Sequence, residues 1–252
     1  MSGHRTPSGV FVFDDFRENL IIDRYDPIFN TMRGEKIEKL RSVNSEDALT
    51  WNVFRSLRQV SPAYWFPRLF ARAFPADAVP CHQVVGLHLW PKIAAPPALR
   101  LLQKDEGDSE IDVLIETERA LWPMEAKYRS DVSERTTNNA QRDQVLRNLD
   151  VGSWHAGLRD FYFTLLVLSA STSAIGAAIV GKYSASKNEV LTRLPHRPDG
   201  LPNLKAIGSL EWTDVADVLA NCAESAPHED ERGSASRAVA WLASRSISAT
   251  TT

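Results

Sequence analysis

The sequence predicts an α/β protein whose central mixed β-sheet is flanked by helices. Residues 111–128 alternate between apolar and polar side chains on both sides of Glu118 and Arg119, as the two strands of a hairpin do. Residues 161–168 form an unbroken apolar run, which is typical of a central strand buried on both faces. The segments before and between these strands carry apolar residues at helical spacing. We therefore expect a helix–sheet–helix sandwich.

The first helix of the core opens within residues 44–49 and runs to about Leu57. Ser45 is a suitable N-cap, and acidic residues follow it in the first turn. Leu49, Val53 and Leu57 are then spaced along one face of the helix. The pattern predicts a capped helix with one apolar face.

Residues 62–74 carry Arg68 and Arg72 four positions apart among aromatic side chains. At helical spacing, such aromatics usually pack in a core and the arginines form a basic rim. The alternative is a surface on which nucleic-acid bases stack. The sequence favours the core interpretation and leaves the other open.

The remaining elements follow from shorter patterns. Further strands are predicted within residues 9–16, 83–90 and 174–183, further helices near 138–149, 212–222 and 234–244, and a loop at 154–155. Gly152 is expected to end the helix near 138–149. The chain is expected to form a single domain over residues 1–252, with its core at about 44–180 and a C-terminal helical part at about 205–245.

Composition and charge limit the possible partners. No apolar run approaches the ~20 residues that a membrane span needs, so we expect no membrane contact. The N-terminus lacks the apolar segment of a signal peptide and only Cys81 and Cys222 are available to pair, so a cytoplasmic location is expected. The net charge is −3, so any contact with nucleic acid must be local.

The polar face of the predicted hairpin carries a cluster of charges. Residues that pair across a hairpin have a constant sum, and a turn between residues 118 and 119 makes that sum 237, which places Asp112 opposite Glu125. Lys127 lies further along the same face. Two opposed carboxylates about 5 Å apart are unfavourable unless a cation or proton lies between them. Mg²⁺, which takes one or two carboxylates plus waters and phosphate oxygens, fits this pair, although a solvated face with Glu and Lys pairing across strands is the alternative.

These residues together resemble the PD-(D/E)XK, restriction-endonuclease-like nuclease superfamily. The resemblance rests on Asp112, Glu125-Ala126-Lys127, an upstream helical Glu46 and a downstream Gln144. It covers about residues 44–168, and the proline of the nominal motif is absent, because Ile111 precedes Asp112. The resemblance implies a restriction-endonuclease-like three-layer sandwich in which a helix, a β-meander, a second helix and a further strand follow one another.

The same resemblance implies a metal-dependent nuclease. Mg²⁺, for which Mn²⁺ substitutes, would be held by Asp112, Glu125 and the carbonyl of Ala126, and would be reached by Glu46 through a water. Lys127 would position the attacking water or offset developing charge, and Gln144 would support the site. The expected substrate is nucleic acid, DNA rather than RNA because most relatives act on DNA. The chain would act alone, as a homodimer or with a partner subunit.

Several assignments remain open at this level. Glu46 has a second explanation, because acids at helix N-termini stabilise the helix dipole, and Asp47 is the second candidate for its place. Gln141 and Arg147 are weaker candidates than Gln144 for holding a phosphate or a water.

Two other functional classes also remain open. Some members of the superfamily have lost catalysis and serve as nucleic-acid-binding or assembly subunits. A metal-dependent enzyme that acts on a small phosphorylated or carboxylated substrate is the other possibility. The sequence lacks a Cys-x₂-Cys pair, a Walker A loop, a G-x-G-x-x-G fingerprint and a G-x-S-x-G elbow, so zinc, nucleotide and serine-hydrolase sites have little support.

Overall fold

The computed structural model describes residues 2–79, 83–102, 107–136 and 141–250. The strands are β1 (Gly3–Arg5), β2 (Phe11–Phe13), β3 (Val84–Leu89), β4 (Lys92–Ile93), β5 (Ser109–Glu110), β6 (Val113–Thr117), β7 (Ala120–Ala126), β8 (Asp160–Val167) and β9 (Leu204–Glu211). The helices are α1 (Gly34–Leu40), α2 (Glu46–Leu57), α3 (Pro62–Ala73), α4 (Pro97–Leu102), α5 (Gln144–Ala156), α6 (Ala174–Ala185), α7 (Lys187–Leu191), α8 (Trp212–Ser225) and α9 (Glu229–Ala243).

The chain divides into two compact units. One contains the residues up to Trp65 together with those from Thr213 onward, and the other contains Phe66–Trp212. The charged hairpin predicted from the sequence lies in the second unit, whereas Glu46 lies in the first. The expectation of one nuclease-like domain over residues 1–252 stays a prediction.

The first unit is mainly helical, and α2 packs against α9 within it. As predicted, α2 begins after Ser45, whose hydroxyl accepts a hydrogen bond from the N–H of Ala48 at 3.1 Å. Asn52, which is fully buried in α2, donates to the carbonyl of Asn19 and accepts from the N–H of Ile21. The helices predicted near residues 212–222 and 234–244 are confirmed as α8 and α9.

The second unit contains a five-stranded mixed sheet among the residues that the structure describes. The strand order is β3-β6-β7-β8-β9, with antiparallel pairing from β3 to β7 and parallel pairing from β7 to β9. Strand β8 lies between β7 and β9 and is buried along nearly its whole length, which confirms that its apolar run forms a buried inner strand. Strand β3 is also confirmed, whereas β9 was not predicted.

Helices cover both faces of this sheet. On one face, Phe66, Phe70 and Phe74 in and after α3 pack against Trp122 of β7. On the other face, α5 and α6 pack on β7, β8 and β9. The aromatic residues of α3 are therefore core residues, as the sequence favours. The predicted α/β fold with a mixed central sheet flanked by helices is confirmed.

The hairpin of β6 and β7 has the predicted register. Pairing runs from Val113 with Met124 to Glu116 with Leu121, and each pair sums to 237. The turn has no glycine or asparagine. Instead, the Thr117 hydroxyl accepts hydrogen bonds from the N–H groups of Arg119 and Ala120 at 3.2 and 2.8 Å. These two local bonds close the turn and fix the register of the hairpin, as the backbone geometry of a type I′ or II′ turn does in other hairpins.

The helix that follows the hairpin differs from its prediction. Helix α5 begins at Gln144 instead of near residue 138, because Asp143 caps it by accepting from the N–H of Leu146 at 2.7 Å. It continues through Gly152 and ends at Gly157, whose φ of 61° favours glycine. The predicted loop at 154–155 is therefore wrong, because both residues are helical. Residues 138–140 of the predicted helix lie outside the described residues.

The segment 174–183 was predicted to be a strand and is part of helix α6. Its buried residues, Gly176, Val180 and Tyr183, follow helical spacing. The helix is capped from outside, since the Asp131 carboxylate accepts from the N–H groups of Ile175 and Gly176 at 2.8 and 2.9 Å. Such a distant cap leaves no signal next to the helix in the sequence.

Candidate functional site

Glu125 is the centre of the candidate site. It lies near the end of β7 on the face that α5 covers, and only 2% of it is exposed. Its Oε1 accepts hydrogen bonds from Lys127 Nζ at 2.6 Å and from Gln144 Nε2 at 2.5 Å. Its Oε2 accepts from Asn148 Nδ2 at 2.6 Å. A buried carboxylate needs such donors, and here one residue just after β7 and two residues on one face of α5 supply them.

Lys127 is held by its backbone as well as by its ion pair. Its N–H donates to the carbonyl of Leu166 in β8 at 2.7 Å, and its carbonyl accepts from Trp212 Nε1 at 3.0 Å. Only 8% of Lys127 is exposed. The backbone of Lys127 is therefore fixed, and its side chain brings a positive charge into a largely buried environment.

Asp112 lies immediately before β6, one residue beyond the last observed pair of the hairpin, Val113 with Met124. Its Oδ2 accepts a hydrogen bond from the N–H of Ala126 at 2.9 Å, and its carbonyl accepts from the N–H of Trp90 at 3.2 Å. The Asp112 carboxylate is therefore fixed at the backbone of Ala126, the residue that follows Glu125. Because the N–H and C=O of one residue in an extended strand point to the same neighbour, the Ala126 carbonyl is directed towards the side of Asp112.

Gln144 is the first residue of α5, and it joins this helix to two other segments. Its Nε2 donates to Glu125, its Oε1 accepts from the N–H of Ser133 at 3.2 Å, and its own N–H donates to the Ser133 carbonyl. The sequence-based choice of Gln144 over Gln141 agrees with this arrangement, because Gln141 precedes the helix. Arg147 lies in α5, where its Nε is buried without a hydrogen bond.

Asn148 reaches Glu125 from one helical turn beyond Gln144. The sequence places Asn148 on the same flank as Gln144, but sequence reasoning gave it no role. The signal was the four-residue spacing of two amides on one helix face. The sequence does not show that α5 lies over β7. Because it does, both amides donate to the same carboxylate, that of Glu125.

The N-terminus of α5 is anchored by buried polar contacts. Besides capping the helix, Asp143 accepts from Tyr183 Oη and from Arg193 Nη1, each at 2.6 Å. Burial and the bond to Asp143 raise the pKa of Tyr183 above its usual range, so the phenol stays a neutral donor. Further along α5, the fully buried Asp150 accepts from Arg142 Nη2 at 2.9 Å and contacts His196 Nε2 at 2.7 Å. These contacts fix the helix that presents Gln144 and Asn148.

No protein-family model, curated protein or solved structure matches this chain.

The site offers oxygen ligands for a small divalent cation. Within the described ranges, no group of three or more His, Cys, Asp and Glu side chains is placed to hold a metal ion. Asp112 and Glu125 with the Ala126 carbonyl form a smaller set, which fits Mg²⁺, since Mg²⁺ keeps several waters and uses one or two carboxylates.

Glu46 and Asp47 occupy the first turn of α2 in the first unit. Asp47 Oδ1 lies 3.5 Å from Lys36 Nζ, an ion pair that gives this acid a local role. Glu46 follows the N-cap directly, where an acid stabilises the helix dipole. The suggestion that Glu46 reaches a metal ion through a water stays a prediction.

No helix among the described residues is long and apolar enough to cross a bilayer.

Proposed function

We propose that this chain is a Mg²⁺-dependent nuclease that hydrolyses phosphodiester bonds of nucleic acid, DNA rather than RNA, on a restriction-endonuclease-like fold. The observation that carries the proposal is the buried Glu125 carboxylate, which shares one hairpin with Asp112 and is bonded to Lys127 two residues along. The order of helix, hairpin, helix and strand around it supports the finer assignment of the fold.

Asp112, Glu125 and the carbonyl of Ala126 would hold the cation. Bound there, Mg²⁺ would lower the pKa of a water and stabilise the charge that develops on the phosphoryl oxygen. The N–H of Ala126 donates to the Asp112 carboxylate at 2.9 Å, which fixes one of the two carboxylates that would hold the ion.

Lys127 and Gln144 would act on the reacting groups. The Lys127 ammonium is held beside the proposed ion by Glu125, and from there it would donate to the attacking water or to a phosphate oxygen. Gln144 donates to the same carboxylate oxygen as Lys127, which limits the directions that the ammonium can take. These roles match oriented donors that stabilise a phosphorane-like charge in other phosphoryl-transfer sites.

The net charge of the chain requires any contact with nucleic acid to be local. With a net charge of −3, bulk attraction does not hold a polyanion. Arg129 is exposed two residues after Lys127, in a left-handed conformation with φ of 57°, and its guanidinium stacks on the Tyr128 ring at 5.3 Å. An arginine in this position suits a backbone phosphate. The preference for DNA rests on the resemblance to the nuclease superfamily.

The test is metal-dependent cleavage by the wild-type chain and by Asp112→Ala. Supercoiled plasmid, linear duplex, single-stranded DNA and RNA are each incubated with Mg²⁺, Mn²⁺ or chelator. We expect cleavage of DNA with either metal, none with chelator, and a rate at least ~10²-fold lower in Asp112→Ala. The matched control is Glu116→Gln, because Glu116 lies on the same face of β6 and instead pairs with His88 and Arg159.

Two results would contradict the proposal. If the folded wild-type chain cuts none of the four polymers but hydrolyses a small phosphodiester in the same metals, the enzyme acts on small substrates. If it binds nucleic acid without any hydrolysis, it is a binding or assembly subunit.

A further inference from the structure

The hydrogen bonds to Glu125 leave a specific opening for a cation. A carboxylate has about four lone-pair sites, two on each oxygen. Lys127 and Gln144 occupy both sites of Oε1, and Asn148 occupies one site of Oε2. One site remains, on Oε2. The side chain that decides which Oε2 site stays open is Asn148.

Asn148 has a second feature that points to a ligand. It is 0% exposed, and its Oδ1 is buried without accepting a hydrogen bond from any described protein group. The amide cannot be turned over to satisfy this oxygen, because the carboxylate of Glu125 only accepts and must face the amide nitrogen. Buried acceptors without a donor are rare in proteins and often mark a water or ion position. The orphaned oxygen lies on the same amide group that contacts Glu125.

A purely structural role explains Asn148 less well. Lys127 already neutralises the charge of Glu125, and Gln144 adds a second donor to it. Asparagine is also unfavourable inside a helix, because its side chain competes with the backbone for hydrogen bonds. A buried asparagine that stabilises only the fold would be expected to satisfy both ends of its amide, as Asn52 does in α2.

We infer that Asn148 is a positioning residue of the metal site, which orients Glu125 so that a cation binds through Oε2 alone. The inference rests on the proposed metal-dependent function. Binding through one oxygen suits Mg²⁺ and Mn²⁺, which take near-octahedral shells with several waters. It disfavours Ca²⁺, which takes six to eight ligands and often uses both oxygens of a carboxylate. The Asn148 Oδ1 is placed to accept a hydrogen bond from a water of the site.

The experiment measures Mn²⁺ and Ca²⁺ dissociation constants of the full chain by calorimetry, well below its melting temperature. In Asn148→Ala we expect the Kd for Mn²⁺ to rise about 10- to 100-fold, as for other groups that orient a metal ligand. We expect the ratio of the Ca²⁺ Kd to the Mn²⁺ Kd to fall, because a released carboxylate can offer both oxygens. Loss of stability alone would change neither quantity in folded protein.

Two further variants keep the result interpretable. Asn148→Leu keeps the number and branching of the side-chain heavy atoms and lacks the donor, so it should show the same shifts as Asn148→Ala. It replaces Asn148→Ala if the smaller side chain disturbs folding. Asn52→Ala is the matched control, because Asn52 is equally buried in a helix and its amide bonds to Asn19 and Ile21, which lie in the first unit. We expect its Mn²⁺ Kd to equal that of the wild-type chain.

The outcomes separate this inference from the proposed function. A Mn²⁺ Kd within twofold of wild type in both Asn148 variants overturns the inference and leaves a nuclease intact. A wild-type chain that binds neither ion overturns both. If the wild-type chain binds Mn²⁺ but cuts no polymer, the nuclease proposal fails, and the Asn148 variants still decide whether this residue orients the ligand.

Discussion

Lys127 has two opposite electrostatic effects on its surroundings. Its ammonium lies 2.6 Å from Glu125 Oε1 in a place that is largely buried, so their attraction is screened less than at the surface. It offsets the carboxylate charge when no cation is bound. Near a bound cation the same charge is repulsive, although it favours the negative charge that develops during hydrolysis.

Replacing Lys127 should therefore separate binding from catalysis. In Lys127→Met we expect the rate of DNA cleavage to fall about 10²- to 10³-fold, because a donor that stabilises developing charge is lost. The Kd for Mn²⁺ should fall as well, since the site loses a positive charge next to a ligand. Cleavage rate and calorimetric Kd measure the two effects.

Lys205→Met is the control for this variant. Lys205 is exposed and pairs with Asp160 at 3.1 Å, so its removal changes the net charge equally and should alter neither quantity. Unchanged cleavage in Lys127→Met would remove Lys127 from the mechanism.

The stability of helix α5 depends on its N-cap, Asp143, more than that of an ordinary helix does. Asp143 both caps α5 and accepts from Tyr183 and the Arg193 guanidinium. Only 2% of Asp143 is exposed, so its loss leaves a partly buried cation and a phenol without their acceptor. The helix that delivers two donors to Glu125 starts at this residue.

Asp143→Ala should lower the free energy of unfolding by about 3–5 kcal/mol, which is typical of breaking a buried ion pair. Ser45→Ala in α2 removes only a cap and should lower it by about 1 kcal/mol. Urea denaturation of both variants measures the difference. Equal losses in the two variants would mean that Tyr183 and Arg193 add nothing to the cap.

The elements that the sequence predicted well are those with local rules. The hairpin followed from alternation and a constant pairing sum, and α2 followed from Ser45 and the apolar residues after it. Helix α6 was misread because its cap is Asp131, more than forty residues earlier in the chain. Helix α5 was started too early, because the polar residues before Asp143 also suit a helix start.

The same contrast applies to the candidate site. Asp112, Glu125 and Lys127 lie on one hairpin, so a period of two residues was enough to bring them together. Asn148 belongs to another element, and its role depends on how α5 packs over β7. Packing between distant elements is set by the whole core, which no short pattern describes.

On the scale of the whole molecule, net charge decides how nucleic acid can bind. The chain carries 29 basic and 32 acidic residues, so a polyanion gains affinity only where cations are locally in excess. Arg129 is exposed, and within the described residues its guanidinium has no ion pair. A single phosphate contact at Arg129 should therefore contribute a measurable share of the total affinity for nucleic acid.

Arg129→Ala should weaken DNA binding and make it less dependent on salt. If Arg129 contacts one phosphate, the slope of log affinity against log salt should decrease in magnitude by about one. Fluorescence anisotropy of labelled duplex in Ca²⁺ at several salt concentrations measures the slope. Arg33→Ala makes the same change in net charge from the first unit, where Arg33 is exposed, and an equal effect in both variants would rule out a local contact.

The close approach of α5 to the sheet links two positions of the helix. A Cβ at Gly152 would lie 2.7 Å from Cε2 of Phe161 and 3.3 Å from Cγ of Pro123, so a larger residue requires either the Phe161 ring or the helix to move. If the helix moves outward, the short side chain of Asn148, one turn earlier, is drawn away from Glu125. A relative with alanine at 152 would need a longer donor, such as glutamine, at 148. The absence of a methyl group at position 152 thus limits which amino acid at position 148 can donate to the Glu125 carboxylate.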